Sequence, residues 1–190
     1  MNVYDFDGTI YRGDSTLHFF WYCLKCQPAL ARFLPVQVLG LLRYGLGVGG
    51  KDAAKSAFFV FVRGVYDLPA RVQAFWQTHE ANMAPWYLAQ RQAQDVVVSA
   101  SPAWLLQPLC DRLGVMLIAT EVDRSTGELL GPNCHGVQKV ARFTARYPGA
   151  QVDAFYSDTH SDAPMAELAA QAFLVRDGIP APWPGMPQTM

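Results

Sequence analysis

Asp5 and Asp7 stand on either side of Phe6 in the segment VYDFDGT. Two like charges at the end of an apolar segment repel one another, and such a pair is placed where something else offsets the repulsion. Further along, the apolar run DVVVSAS carries Ser99 at its end, and GVQK places Lys139 near the start of a helix. VDAFYS runs into Asp158, with Asp162 four residues on. Four carboxylates, one hydroxyl and one ammonium form a set of hard donors with no clustered His or Cys, which selects Mg²⁺ rather than zinc. A magnesium ion and a lysine together clamp a transferring phosphoryl group. Strand-end N–H groups and a helix N-terminus supply further donors to phosphate oxygens.

Such a set converges only if the elements carrying it are side by side. Asn2 to Phe6 reads as a short strand. From Asp14 to about Gln94 the signals are helical: Leu17, Phe20, Trp21 and Leu24 recur at helix spacing, as do Leu68, Val72, Phe75, Trp76 and His79. Asp67 is an N-cap with Pro69 in the first turn. GLGVGG, from Gly45 to Gly50, breaks two helices and follows no strand, so it is not a phosphate loop. The run DVVVSAS is a buried strand ending at Ser99. A helix follows, capped by Ser101, with Pro102 first, Leu105, Leu106, Leu109 and Leu113 on one face, and Gly114 as its stop. VMLIAT is a strand, and DRSTGELLG a hairpin with Gly127 at its tip. The helix bearing Lys139, Val140, Phe143 and Tyr147 precedes the strand VDAFYS and a last strand, Ala172 to Val175. The proline-rich tail PAPWPGMPQTM is irregular, with Trp183 tucking it down.

Alternating strands and helices predict an α/β fold, a Rossmann-like parallel sheet with helices on both faces. Residues 1–12 and 93–190 form this core, and the helical residues 13–92 are inserted after the first strand as a second lobe. Ligands in such sheets lie beyond the C-terminal strand ends, where the candidate residues fall.

Composition narrows the class. The 190 residues are 51% hydrophobic with a net charge of −1, enough for one packed core and a small second lobe. Asp5 and Asp7 interrupt any secretory pattern at the start. The longest apolar region, Phe33 to Leu46, is broken by Pro35, Gln37 and Arg43 and falls short of the ~20 residues of a spanning helix. Cys23, Cys26, Cys110 and Cys134 read as reduced thiols of a cytoplasmic protein. The CxxC of Cys23 and Cys26 lies in a helix without a second pair or a nearby His pair, so packing accounts for it better than zinc does. Between Ile10 and Gln92 nine Lys or Arg face four acids, while the rest of the chain has six against twelve. That basic, aromatic stretch suits an anionic substrate or an anionic membrane surface. No nucleic-acid partner is indicated, and the oligomeric state has no sequence signature.

In order, DFDGT, a helical insertion, VVVSASP, GVQK and YSDTHSD resemble the four motifs of the haloacid dehalogenase superfamily. The likeness is to its phosphoserine-phosphatase-like branch (subfamily IB), which carries a helical cap of the C1 type between the first two motifs. It extends from Val3 to Met165. The resemblance implies Asp5 as the nucleophile that becomes an aspartyl-phosphate, and Asp7 as the acid and base for leaving group and water. It implies Mg²⁺ held by Asp5, Asp158 and the Asp7 carbonyl, with Asp162 supporting the metal shell. Ser99, Ala100, Gly8, Thr9 and Lys139 take phosphate-binding places. Ser157 stands where a glycine is usual, and THS replaces the usual small residues between the two late acids. Asp14 stands where phosphoserine phosphatases carry a substrate-selecting glutamate, which argues against phosphoserine itself. Arg32, Arg43 and Arg63 are candidate cap contacts. The expected activity is a Mg²⁺-dependent phosphomonoesterase on a small phosphorylated metabolite. The alternatives are a phosphatidylglycerophosphate-type phosphatase at a membrane surface, a phosphotransferase, and a binding protein without chemistry.

Overall fold

The computed structural model describes residues 1–186; the last four residues of the proline-rich tail lie outside them. Six strands form one sheet: β1 (Asn2–Tyr4), β2 (Val96–Pro102), β3 (Met116–Thr120), β4 (Val152–Ser157), β5 (Ala169–Arg176) and β6 (Ile179–Pro182). Their order is β3-β2-β1-β4-β5-β6, all neighbours parallel except β5 and β6. The chain winds one way from β1 through β3 and then returns to the other side of β1. The switch point is therefore at β1, which puts Asp5 and Asp7 in the crevice that this topology opens.

Side chains alternate across the sheet. Val3, Val96, Val98 and Phe155 join one apolar cluster with Phe143, Met165 and Trp183, while Tyr4, Val97 and Tyr156 point into the other. On that second face Tyr4, Tyr156 and Phe173 are in register on adjacent strands and stack at 4.9 and 4.8 Å between ring centroids. Helices α6 (Ala103–Leu113), α7 (Val137–Arg146) and α8 (Ala163–Ala166) follow β2, the β3 hairpin and β4.

Between β1 and β2 lie α1 (Ser15–Cys26), α2 (Leu34–Gly45), α3 (Lys51–Phe59), α4 (Leu68–His79) and α5 (Pro85–Gln90), joined by 3₁₀ segments except at α2 and α3, which a glycine-rich turn connects. Their aromatic side chains Phe19, Phe59, Phe75 and Trp76 belong to the same cluster as Tyr4 and Leu105. Trp76 donates its indole N–H to the Leu105 carbonyl at 2.7 Å, so the insertion shares a core with the sheet. Asp67 caps α4 by accepting from the Ala70 N–H at 3.2 Å, with Pro69 in the first turn as expected.

Several local expectations need correction. β1 ends at Tyr4, two residues early, because the chain turns to bring Phe6 to its own loop: the Phe6 carbonyl accepts from the Ile10 and Tyr11 N–H groups. β2 runs past Ser99 to Pro102, with a register shift between those two residues. Ser101 makes no cap bond; Pro102 occupies the cap position and Ala103 begins the helix. The last parallel strand is longer than Ala172–Val175, and part of the tail is a strand, β6, at the sheet edge. Proline is tolerated on an edge where no N–H is needed. Trp183 is buried as expected. Cys23 is buried in α1, Cys26 is exposed at its end, and both are free.

Candidate active site

The crevice at the switch point is a cavity of about 400 Å³. Its floor is a buried charge cluster. Lys139, delivered by the first turn of α7, is 2% exposed and donates to Asp5 Oδ1 and Asp162 Oδ2, each at 2.6 Å. Asp162 Oδ2 also accepts from Ser157 Oγ at 2.8 Å, while its Oδ1 is buried without a partner. Burial would depress the Lys139 ammonium, but the two carboxylates outweigh it and hold it raised. Burial pushes Asp5 up to about 7 against the pull of Lys139, with Asp162 adding to the rise.

Asp7 lies higher in the crevice and is held at both oxygens. Ser101 Oγ donates to Oδ2 at 2.5 Å and the Ser15 N–H to Oδ1 at 2.6 Å. Desolvation and the nearby Asp14 raise it to about 6, while these donors pull it down. Thr16 Oγ1 lies 3.0 Å from Ser101 Oγ, so the start of α1 and the end of β2 together fix this carboxyl. Asp14 lines the cavity and caps α1, accepting from the Leu17 N–H at 2.9 Å. Ser99 is fully buried in the lining, and its Oγ accepts from the Ser101 N–H at 3.0 Å.

Asp158 sits on the other side of the β1 turn. Its N–H donates to Thr9 Oγ1 at 2.9 Å, and its carboxyl presses on Gly8. A Cβ on Gly8, whose φ is +73°, would lie 2.1 Å from Asp158 Oδ2, so only glycine admits that approach. The carboxyl is raised by burial, with Lys139 opposing. A divalent cation suits this donor set. Asp5 keeps an oxygen that Lys139 does not take, Asp158 is pressed toward the same turn, and the Asp7 carbonyl is a hard main-chain donor. Among the described residues no three His, Cys, Asp or Glu side chains form a ready cage.

The structure thus brings Asp5, Asp7, Asp14, Ser99, Ala100, Lys139 and Asp162 to one cavity. Gly8, Thr9 and Asp158 pack together beside it. Arg32, Arg43 and Arg63 do not line it: Arg32 covers the Phe33 ring at 4.9 Å, Arg43 borders a separate groove, and Arg63 is exposed. The insertion's cations at the cavity are instead Lys51 and Lys55, one helical turn apart on α3. Lys55 Nζ donates to the Ala100 carbonyl at 2.5 Å and to Asn133 Oδ1 at 2.6 Å. Burial, with Lys51 adding, lowers it to about 8. The charge count located the basic stretch, but only the direction of α3 selects these two lysines from it. Thr16, Asn133, His135 and Thr159 also line the cavity without a sequence signal, and Ser101, expected as a helix cap, serves Asp7 instead.

The sequence from 3 to 167 matches the family model described as haloacid dehalogenase-like hydrolase. No curated protein matches the chain. Among solved structures, a Bordetella pertussis Tohama I protein of unknown function superposes with a TM-score of 0.71 at 21% identity, covering 92% of this chain and 88% of that one. A phosphoserine phosphohydrolase-like protein from Francisella tularensis gives 0.60 at 16% identity, with 94% and 89% covered. A probable phosphoserine phosphatase from Vibrio cholerae gives 0.62 at 15% identity, with 90% of this chain but 55% of that longer one covered. At these identities the superpositions speak for the fold, and they agree with the topology described above. With its sequence matched over most of its length, the chain belongs to the haloacid dehalogenase-like hydrolase family.

Proposed function

We propose that the protein is a Mg²⁺-dependent phosphomonoester phosphatase working through Asp5, with residues 13–92 as a cap over the cavity. The observation that carries this reading is the Lys139 ammonium shared by Asp5 and Asp162 beneath a separately held Asp7. One carboxylate is fixed against a cation at the cavity floor, and the second is poised to exchange a proton.

Asp5 attacks phosphorus as its carboxylate while the bond to the leaving oxygen breaks, and Asp7 in its acid form gives that oxygen a proton. Asp7, now ionised, takes a proton from water as the water attacks the aspartyl-phosphate, which releases phosphate and restores Asp5. Lys139 keeps Asp5 oriented and offsets phosphoryl charge. Ser99 and the Ala100 main chain, both in the cavity lining, would meet the transferring oxygens. Asp5, Asp158 and the Asp7 carbonyl would hold Mg²⁺, with Asp162 supporting; when bound it neutralises phosphoryl charge. Lys55 ties the cap to the Ala100 carbonyl and so closes the cavity over this loop.

The part of the substrate beyond phosphorus meets Lys51, Lys55, Leu17, Leu41 and Phe58. Apolar walls with basic groups favour a lipid phosphomonoester over a small soluble metabolite. Release of phosphate from an aryl phosphate with and without Mg²⁺ tests the reaction. Activity that needs Mg²⁺ and vanishes in a folded Asp5→Asn variant is expected, and undiminished activity in that variant would overturn it.

A further inference from the structure

The insertion carries many of its apolar side chains on the outside. In α2 and the loop after it, Val38, Leu39, Leu41, Leu42, Leu46 and Val48 are each more than half exposed. Gln37 is the only buried residue of α2. The helix is attached by a narrow strip, where Gln37 Nε2 donates to the Phe58 carbonyl at 2.7 Å and Gly40 lies against Ala57. On α1, Leu17 and Trp21, one turn apart, are 44% and 53% exposed. Patches of this kind on a protein surface mark a docking site.

Charge, length and continuity say what docks there. No Asp or Glu occurs from Ser15 to Lys51, whereas Lys25, Arg32, Arg43 and Lys51 do. A second copy of the chain packed on this face about a two-fold axis would bring like charges together, while an anionic bilayer neutralises them. With 12 residues, α2 is about 18 Å long, too short for a hydrocarbon core of about 30 Å. No helix among the described residues is long and apolar enough to cross a membrane. A helix of this kind lies in the interface plane, where Trp21 and Tyr44 are suited to the head-group level. Leu17, Leu41 and Tyr44 also line the catalytic cavity, and Tyr44 with Ala54 borders an apolar groove of about 260 Å³ between α2 and α3. Tyr44 and Ala54 therefore stand between the groove and the catalytic cavity and line both, and Leu39 and Val48 carry the exposed face to the groove's edge.

We propose that the α1–α2 face docks the protein on an anionic bilayer, and that its substrate is a phosphomonoester lipid whose apolar part lies along the α2–α3 groove. The substrate half rests on the phosphatase reading; the docking half does not.

The test is co-sedimentation of the full chain with phosphatidylcholine vesicles, with or without phosphatidylglycerol. Binding to the anionic vesicles alone, falling as salt rises, is expected. A Leu42→Asp, Leu46→Asp double variant, altered at two exposed positions outside the cavity lining, is expected to bind about tenfold more weakly or worse. Its hydrolysis of a soluble aryl phosphate should equal that of the parent, while hydrolysis of phosphatidic acid and phosphatidylglycerophosphate in those vesicles falls with binding. Absence of vesicle binding, or binding that the double variant leaves intact, overturns the docking. So does a dimer that the variant dissolves, which would assign the face to a second copy. Vesicle binding with aryl phosphate hydrolysed and both lipids untouched overturns the substrate half. Binding with no hydrolysis of any ester overturns the phosphatase reading and leaves the docking standing.

Discussion

Asp7 is the residue whose chemistry is most open to a direct test. Two donors hold its oxygens, and desolvation raises it to about 6, so its acid form is accessible near neutrality. In the proposed mechanism, replacing it by Asn removes proton donation to the leaving group. We expect hydrolysis of alkyl phosphates to fall by about 10²–10⁴-fold. Formation of the phospho-enzyme from an aryl phosphate, whose leaving group needs little help, should fall far less, as a burst measurement would show. Equal losses for both would place Asp7 outside proton transfer. Lys139 answers to a different measurement. Its removal in Lys139→Met leaves Asp5 and Asp162 buried without their cation. Breaking such a pair costs about 3–5 kcal/mol where the carboxylates stay ionised. Thermal melts should therefore show a larger loss at about pH 8 than at about pH 5, where Asp5, raised to about 7 by burial, takes up a proton. The aspartates and Lys139 were legible in the sequence because each stands at a strand end or helix start. Ser101 was not: a serine before proline reads as a helix cap, and only the tertiary approach of Asp7 diverts its hydroxyl.

At the scale of elements, α3 and the β3–α7 hairpin work as one seam over the cavity. Lys55 of α3 reaches Ala100 and Asn133, and the Leu129 N–H donates to Ser56 Oγ at 3.3 Å. Gly127 at the hairpin tip has φ +78°, and a Cβ there would lie 2.3 Å from the Phe59 carbonyl oxygen. Gly127→Ala should lower stability by about 1–3 kcal/mol through backbone strain. It should also raise KM for an aryl phosphate more than it lowers kcat, because the seam shifts while the floor of the site does not. A larger effect on kcat would show that the hairpin acts on the chemistry. Of these elements the sequence disclosed the parallel core through its apolar runs and the insertion through helical spacing. It did not disclose β6, because Pro180 and Pro182 read as strand breakers; β6 pairs on one side only, with β5, so the missing N–H groups are tolerated. Nor did it disclose the choice of Lys55 over Arg43, which depends on how α3 is turned toward a loop 45 residues away.

For the molecule as a whole, the site sets how stability follows pH and metal. Asp5 and Asp7 titrate near 7 and 6 when folded, against 3.8 in the unfolded chain. The folded state therefore binds protons more tightly, and the stability this contributes is complete below the unfolded value and lost as pH rises through 6 and 7. Chelator-treated protein should melt progressively lower between about pH 5 and about pH 8. Added Mg²⁺ should flatten that slope, since a cation favours the ionised carboxylates. A slope of the opposite sign in the chelated protein would contradict the electrostatic account of the site. The central claim, that Asp5 is the nucleophile, is tested most directly by acid-quenching the enzyme during turnover of a radiolabelled phosphomonoester. Label that stays on the protein, is released by hydroxylamine, maps to the peptide containing Asp5 and is absent from Asp5→Asn is the predicted result. Turnover with no label on the protein, or label on another residue, would contradict it.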